Sequence, residues 1–231
     1  MKLPDGVDGF FYTSPDEYDA ATAAALRELG WSVVVSAMLP STKHTSAARL
    51  TAKRHKWLCP WEVQRYDFVA THDANVRLDY SKLRCFLEQH MAVPKVDLVL
   101  KDWFKAWMPA AGLYRSVYSE IDDMLFNRPE FVASSREKVV EWRDFLLRSK
   151  YEDKGYFETD VILFRPASSA LSRVGRRIFE RCHEVPRDQF ILPWAITKEE
   201  MTSSEFAVFS EDDLERLLGY TKLLQLRLKR N

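Results

Sequence analysis

Apolar and polar positions along the chain switch repeatedly between two periods. Alternating or continuous apolar stretches at 7–13, 31–36, 66–72, 96–100 and 159–164 read as strands, the second carrying Val33, Val34 and Val35 in a row. Helical spacing covers 18–29, 45–58, 79–90, 115–126, 134–148 and 170–182. Gly30 and Pro60 stand where the first two helices should stop. Strand–helix alternation of this kind predicts an α/β fold: a mostly parallel central sheet with helices on both faces. The stretch 211–229 sets Leu214, Leu217, Leu218, Leu223, Leu224, Leu226 and Leu228 among charges and reads as a C-terminal helix, bent at Gly219. The expected division is a single α/β domain over 1–205, with 206–231 as a C-terminal strand/helix appendage that docks on it or leads to another domain.

Composition narrows the classes without choosing among them. A hydrophobic content of 46% with 13% aromatics suits a folded globular chain. The 34 basic and 34 acidic residues cancel, so no overall attraction to nucleic acid or to an anionic membrane is expected. Cys59, Cys85 and Cys182 are too scattered for a disulfide framework, which favours reduced thiols and a cytoplasmic location. Residues 1–6 lack the apolar core of a signal peptide, and no apolar run is long enough to span a bilayer.

The segment Thr71-His72-Asp73-Ala74-Asn75 carries the most specific chemistry. It ends an apolar strand on a carboxylate and breaks into a turn, and carboxyl ends of strands are where open α/β sheets place ligand groups. Asp73 and Asn75 could converge on one divalent cation and a diphosphate, or could simply make an Asx turn. In the preceding helix, Arg49 and Lys53 lie one turn apart and can reach one anion; a solvated face is the plainer reading. Glu158, Thr159 and Asp160 open an apolar strand, as sugar-hydroxyl acceptors or as strand caps. Asp188, in Arg187-Asp188-Gln189, could be a helix N-cap or a general base facing a cleft. His72-Asp73 also invites comparison with His-Asp metal phosphohydrolases, but those are helical bundles and this doublet ends a strand. With seven glycines and no Walker or Gly-x-Gly-x-x-Gly loop, a glycine-rich phosphate cradle is not expected.

Taken in order, five segments resemble GT-A-fold glycosyltransferases: Gly9-Phe10-Phe11-Tyr12-Thr13-Ser14 with Tyr18-Asp19, the basic helix 49–57, 66–78 with its Asp-Ala-Asn, 157–166, and Arg187-Asp188-Gln189. Within that class the chain is similar to the glycosyltransferase-like domain of plant pollen and seed-mucilage proteins and of an algal-virus sugar-transferring protein. The resemblance implies a single GT-A-like, Rossmann-like domain. It also implies transfer of a sugar from a UDP- or GDP-linked donor to a glycan or other hydroxyl acceptor, aided by Mn²⁺ or Mg²⁺. By that likeness Thr13 would lie near the base, Arg49 and Lys53 near the phosphates, and Asp73 and Asn75 at the metal and ribose. Thr159 and Asp160 would face the sugar, and Asp188 would be the base of an inverting reaction. Two departures stand out: Asn75 replaces the second Asp of the commoner motif, and no histidine follows Asp188. Both favour the competing expectation of a noncatalytic carbohydrate- or partner-binding domain on a degenerate GT-A fold, which the retention of Asp73 and Asp188 opposes.

Overall fold

The computed structural model describes residues 2–92, 96–102, 116–153 and 155–222. In chain order these form β1 (Gly9–Thr13), α1 (Ala20–Glu28), β2 (Trp31–Val35), α2 (Ala47–Trp57), β3 (Val69–His72), β4 (Val76–Arg77) and α3 (Tyr80–Leu87). They continue as β5 (Leu98–Asp102), α4 (Val117–Phe126), α5 (Arg136–Arg148), β6 (Phe157–Phe164), α6 (Ser169–Cys182), α7 (Asp188–Lys198), β7 (Phe206–Phe209), α8 (Glu211–Leu218) and β8 (Thr221–Lys222). The helices begin where short polar side chains can take an orphan backbone N–H. Asp19 caps α1, Ser46 caps α2, Asp79 caps α3, Ser168 caps α6 and Ser210 caps α8.

The central sheet has the order β3-β6-β5-β7. Since β6 runs against both β3 and β5, and β7 runs with β5, three of the four strands share one direction. The mostly parallel sheet expected from the sequence is therefore present, with one reversed strand inside it. That strand, β6, is buried along its whole length. Period-2 alternation sends Leu98, Leu100, Ile162 and Phe164 into a core shared with α2 and α4 to α7. Val99, Val161 and Leu163 face the other way, onto α3 and α8. Helices thus cover both faces. Strands β1 and β2, joined through α1, pair parallel in a sheet of their own. No helix among the described residues is long and apolar enough to cross a membrane.

Several expected boundaries shift. The C-terminal helix stops at Leu218, because Gly219 adopts the left-handed conformation (φ 57°) that caps a helix end. A Cβ there would also lie 2.9 Å from Asp79 Cβ. The chain then pairs β8 with β4 instead of continuing helically; the remaining positions of the expected helix, 223–229, lie outside the described residues, as does Arg115. The segment from 206 contributes β7, an edge strand of the central sheet, and α8 packs on that sheet's face. Helix α7 occupies a stretch that carried no helical period. From Phe190 to Ile196 every residue is buried, so no polar face marks the turn of the helix.

Two close fits set the position of α2. Thr45 Oγ1 donates to Cys182 O at 2.8 Å, fixing the start of α2 to the end of α6. Farther along, a Cβ on Gly175 of α6 would meet the Trp57 carbonyl oxygen at 2.1 Å, so only glycine lets the two backbones approach this closely. Gly175→Ala should therefore push α2 off α6 and destabilise the protein by about 1–3 kcal/mol, the usual range for overpacking. Urea denaturation of the variant beside the parent checks this, and an unchanged midpoint would mean that the helices separate without strain.

Candidate functional site

Helix α2 presents Lys53, Lys56 and Trp57 on one side, at the i, i+3 and i+4 spacing that stacks residues on a helix face. Each reaches a different element. Lys53 Nζ donates to Asp188 Oδ1 at 2.5 Å, and Trp57 Nε1 donates to Asp188 Oδ2 at 2.9 Å. Lys56 Nζ donates to Asp73 Oδ1 at 3.0 Å and to the Thr159 carbonyl oxygen at 2.5 Å. One helix thereby joins the first residue of α7, the end of β3 and the middle of β6. The ladder between β3 and β6 extends one step past the strand, with Asp73 N donating to Asp160 O at 2.9 Å. Val76 N then donates back to Asp73 O, closing the turn that holds Asn75.

The electrostatics follow from burial and pairing. Burial alone would raise Asp188, but Lys53 and then Lys56 outweigh it and hold the carboxyl well below its ordinary range. Burial alone would lower Lys56, but Asp188 and then Asp73 outweigh it, and its pKa is raised. His72 is lowered, chiefly by burial, which keeps it neutral at pH 7. Its Nδ1 lies 3.1 Å from the Asp73 carbonyl and its Nε2 lies 2.8 Å from the Tyr80 hydroxyl. With both ring nitrogens so engaged, the doublet is not arranged as a His-Asp metal pair.

A cavity of about 880 Å³ opens between β1 and β3. Thr13, the last residue of β1, and Asp73, just past β3, both line it, as does Lys56. Its walls are aromatic, with Phe10, Tyr12, Trp31, Tyr66 and Phe68, and Tyr12 stacks on His55 at 4.3 Å between ring centroids. The sequence expectations divide on this geometry. Thr13 and Asp73 come together on one cavity; Arg49, Lys53, Asn75, Thr159, Asp160 and Asp188 do not line it. Lys53 is turned to Asp188, while Arg49 stays exposed one turn earlier. Thr159 is buried and contributes its carbonyl to Lys56.

Asp160 and Asp188 have partners that the sequence did not point to. The β5–β6 register jumps from Leu100↔Ile162 to Lys101↔Glu158, so residues 159–161 of β6 bulge out of the pairing. Asp160 is thereby aimed into a separate buried cluster, where its Oδ2 accepts from Lys101 Nζ at 3.0 Å and from Tyr220 Oη at 2.9 Å. Lys101 also pairs with Glu158. Asp188 is 2% exposed with both carboxylate oxygens hydrogen-bonded, so in this arrangement it is a counterion and not a base open to a hydroxyl. Lys56, Trp57, Lys101 and Tyr220 were not among the expected site residues. A lysine inside the apolar strand Leu98–Asp102 was the sequence's one signal of the Lys101 cluster.

Asp73 and Asn75 do not fit a resident divalent ion. Among the described residues no three His, Cys, Asp or Glu side chains converge on one point. The carboxylate that would hold the ion is already bound by an ammonium. A divalent ion about 4 Å from that ammonium would be repelled by about 2–8 kcal/mol, between the limits of bulk water and a protein surface.

No protein-family model matches the chain, and no curated protein matches it in sequence. The finer likeness to plant and algal-virus proteins thus has no support from these comparisons. Among solved structures the chain is similar to mouse xyloside xylosyltransferase 1 in its apo form, at 12% identity over 87% of this chain and 71% of that one, with a TM-score of 0.44.

Replacing Asp188 tests the counterion assignment. Asp188→Ala should cost about 3–5 kcal/mol in urea denaturation, because Lys53, only 16% exposed, would be left unpaired and Trp57 Nε1 without its acceptor; adding Lys53→Met should restore part of that loss. The pH dependence has a defined sign. A carboxyl depressed in the folded state contributes stability above its unfolded pKa of about 3.9, and that contribution is lost as pH falls toward the folded value. Asp188→Asn should lack this part of the acid slope below about pH 4. A variant with the parent's acid profile would show that Asp188 does not rely on Lys53.

Proposed function

We propose that the chain is a glycosyltransferase that takes a nucleoside-diphosphate sugar as donor. One observation carries the reading: Thr13 and Asp73, from the carboxyl ends of β1 and β3, share one aromatic-walled cavity with the basic helix α2. Ligands of open α/β sheets bind in the crevice at strand carboxyl ends, where the sheet divides. The cavity, about 880 Å³, falls within the range of small-molecule sites. Aromatic rings offer faces for a base, and Asp73, with its side chain 50% exposed, can accept hydrogen bonds from ribose or sugar hydroxyls. In the reaction, the bond from the anomeric carbon to the diphosphate oxygen breaks and a bond to the acceptor oxygen forms. The hydroxyl proton passes to solvent, and negative charge gathers on the leaving diphosphate.

The engagement of Asp188 favours a second reading, a binding domain that holds a nucleotide sugar or glycan without transferring it. The two separate in one set of measurements. Calorimetric titration with UDP, GDP and their sugar conjugates should show binding, and Thr13→Trp, which fills the cavity beside β1, should weaken it by about tenfold or more (~1.4 kcal/mol). Incubation with the bound donor and hydroxyl acceptors should then yield glycosylated product. Binding without product would select the noncatalytic reading, and failure of every nucleoside diphosphate to bind would reject both.

A further inference from the structure

Charge on a leaving diphosphate has to be met by a cation, and the Asp73 turn offers no set of ligands for a metal. We propose that the Lys56 ammonium is that cation, receiving the ligand's phosphate oxygens directly and making diphosphate binding independent of divalent metal. The inference rests on the nucleotide-sugar reading above and deepens it by naming the phosphate-binding group.

The geometry is specific to Lys56. It is the lysine of α2 that lines the cavity, whereas Lys53 is committed to Asp188. Its side chain is only 11% exposed, so packing along the stem limits where the ammonium can go. Two acceptors, Asp73 Oδ1 and Thr159 O, hold it at the end of β3. An ammonium has three donors, so these two contacts leave one for an incoming oxygen. Asp73 Oδ1 and Thr159 O together keep the charge at the cavity wall, and an asparagine at 73 would still offer an acceptor oxygen there. The two acids near Lys56, Asp73 and Asp188, favour its protonated form over the whole neutral range. A metal on the other oxygen of that carboxylate would sit beside the Lys56 charge.

Inorganic diphosphate is the suitable probe, because it lacks base, ribose and sugar and so reports on the phosphate contact alone. Its binding is measured calorimetrically in EDTA and in Mn²⁺, for the parent, Lys56→Met and Asp73→Asn. In EDTA the parent should bind, and Mn²⁺ should change its affinity by no more than about twofold after allowing for the metal complex that forms in solution. Lys56→Met should lose roughly 10–100-fold, the worth of a charge-assisted hydrogen bond. Asp73→Asn should bind as tightly as the parent or more tightly, since it removes a competitor for the ammonium; a metal ligand at Asp73 requires the opposite. Should Lys56→Met fail to fold, as judged by circular dichroism, Asp73→Asn decides alone. Binding that needs Mn²⁺, or that collapses in Asp73→Asn, overturns the role of Lys56 and leaves the nucleotide-sugar reading standing. Absence of diphosphate binding together with metal-dependent UDP binding likewise overturns that role and spares the reading. If neither diphosphate nor UDP binds under any condition, both the inference and that reading fall.

Discussion

A carboxylate buried at the start of α7 has to be neutralised, and the way it is neutralised arranges the rest of the site. Asp188 takes one hydrogen bond from Lys53 and one from Trp57, so both oxygens are satisfied from a single helix. Those bonds fix the rotation of α2 about its own axis, while Gly175 and the Thr45 hydroxyl fix its distance from α6. With rotation and distance both set, Lys56 is carried to the end of β3. Displacing α2 would leave the buried Asp188 carboxylate without its partners, a loss of about 3–5 kcal/mol.

A second charged cluster holds the far side of the sheet in a similar manner. Lys101 has no exposed surface, its Nζ lies among the side chains of Glu158, Asp160 and Tyr220, and its ammonium sits 4.4 Å from the centre of the Tyr220 ring. Burial first, and then Asp160, raise Glu158 from its ordinary value. The cluster ties β5, the bulge of β6 and the segment after α8 into one unit. It also accounts for the aim of Asp160: a bulge turns its side chain toward Lys101 while its backbone carbonyl stays in the ladder with Asp73.

Much of this was legible in the sequence, and the failures have physical causes. Valine runs and alternation located the strands, and Gly30 and Pro60 bounded the first two helices to within a few residues. The placing of Thr13 and Asp73 at strand ends followed from the strand boundaries; the cavity they share came only with the fold. Local pattern carries no strand direction, however, so the reversed course of β6 was invisible. Lack of a polar face hid α7. The face of α2 was legible as basic, but nothing local distinguished Lys53, which neutralises a buried acid from a distant segment, from Lys56, which reaches the cavity. The partners of Asp160 and Asp188 were hidden for one reason: an acidic residue beside an apolar run looks the same whether it faces a ligand or a lysine.

The split between the two sheets has a mechanical consequence. Among the described residues, β1 bonds only to β2 and β3 only to β6, and the facing edges of β1 and β3 both border the cavity. Widening or narrowing that gap breaks no strand–strand hydrogen bond, so its stiffness comes from side-chain contacts such as the Tyr66 hydroxyl on Asp8 and the Phe10–Tyr66 ring pair. The breadth of the cavity between β1 and β3 is therefore set by side chains, whereas the end of β3 is tied to α2 by the Lys56 hydrogen bond.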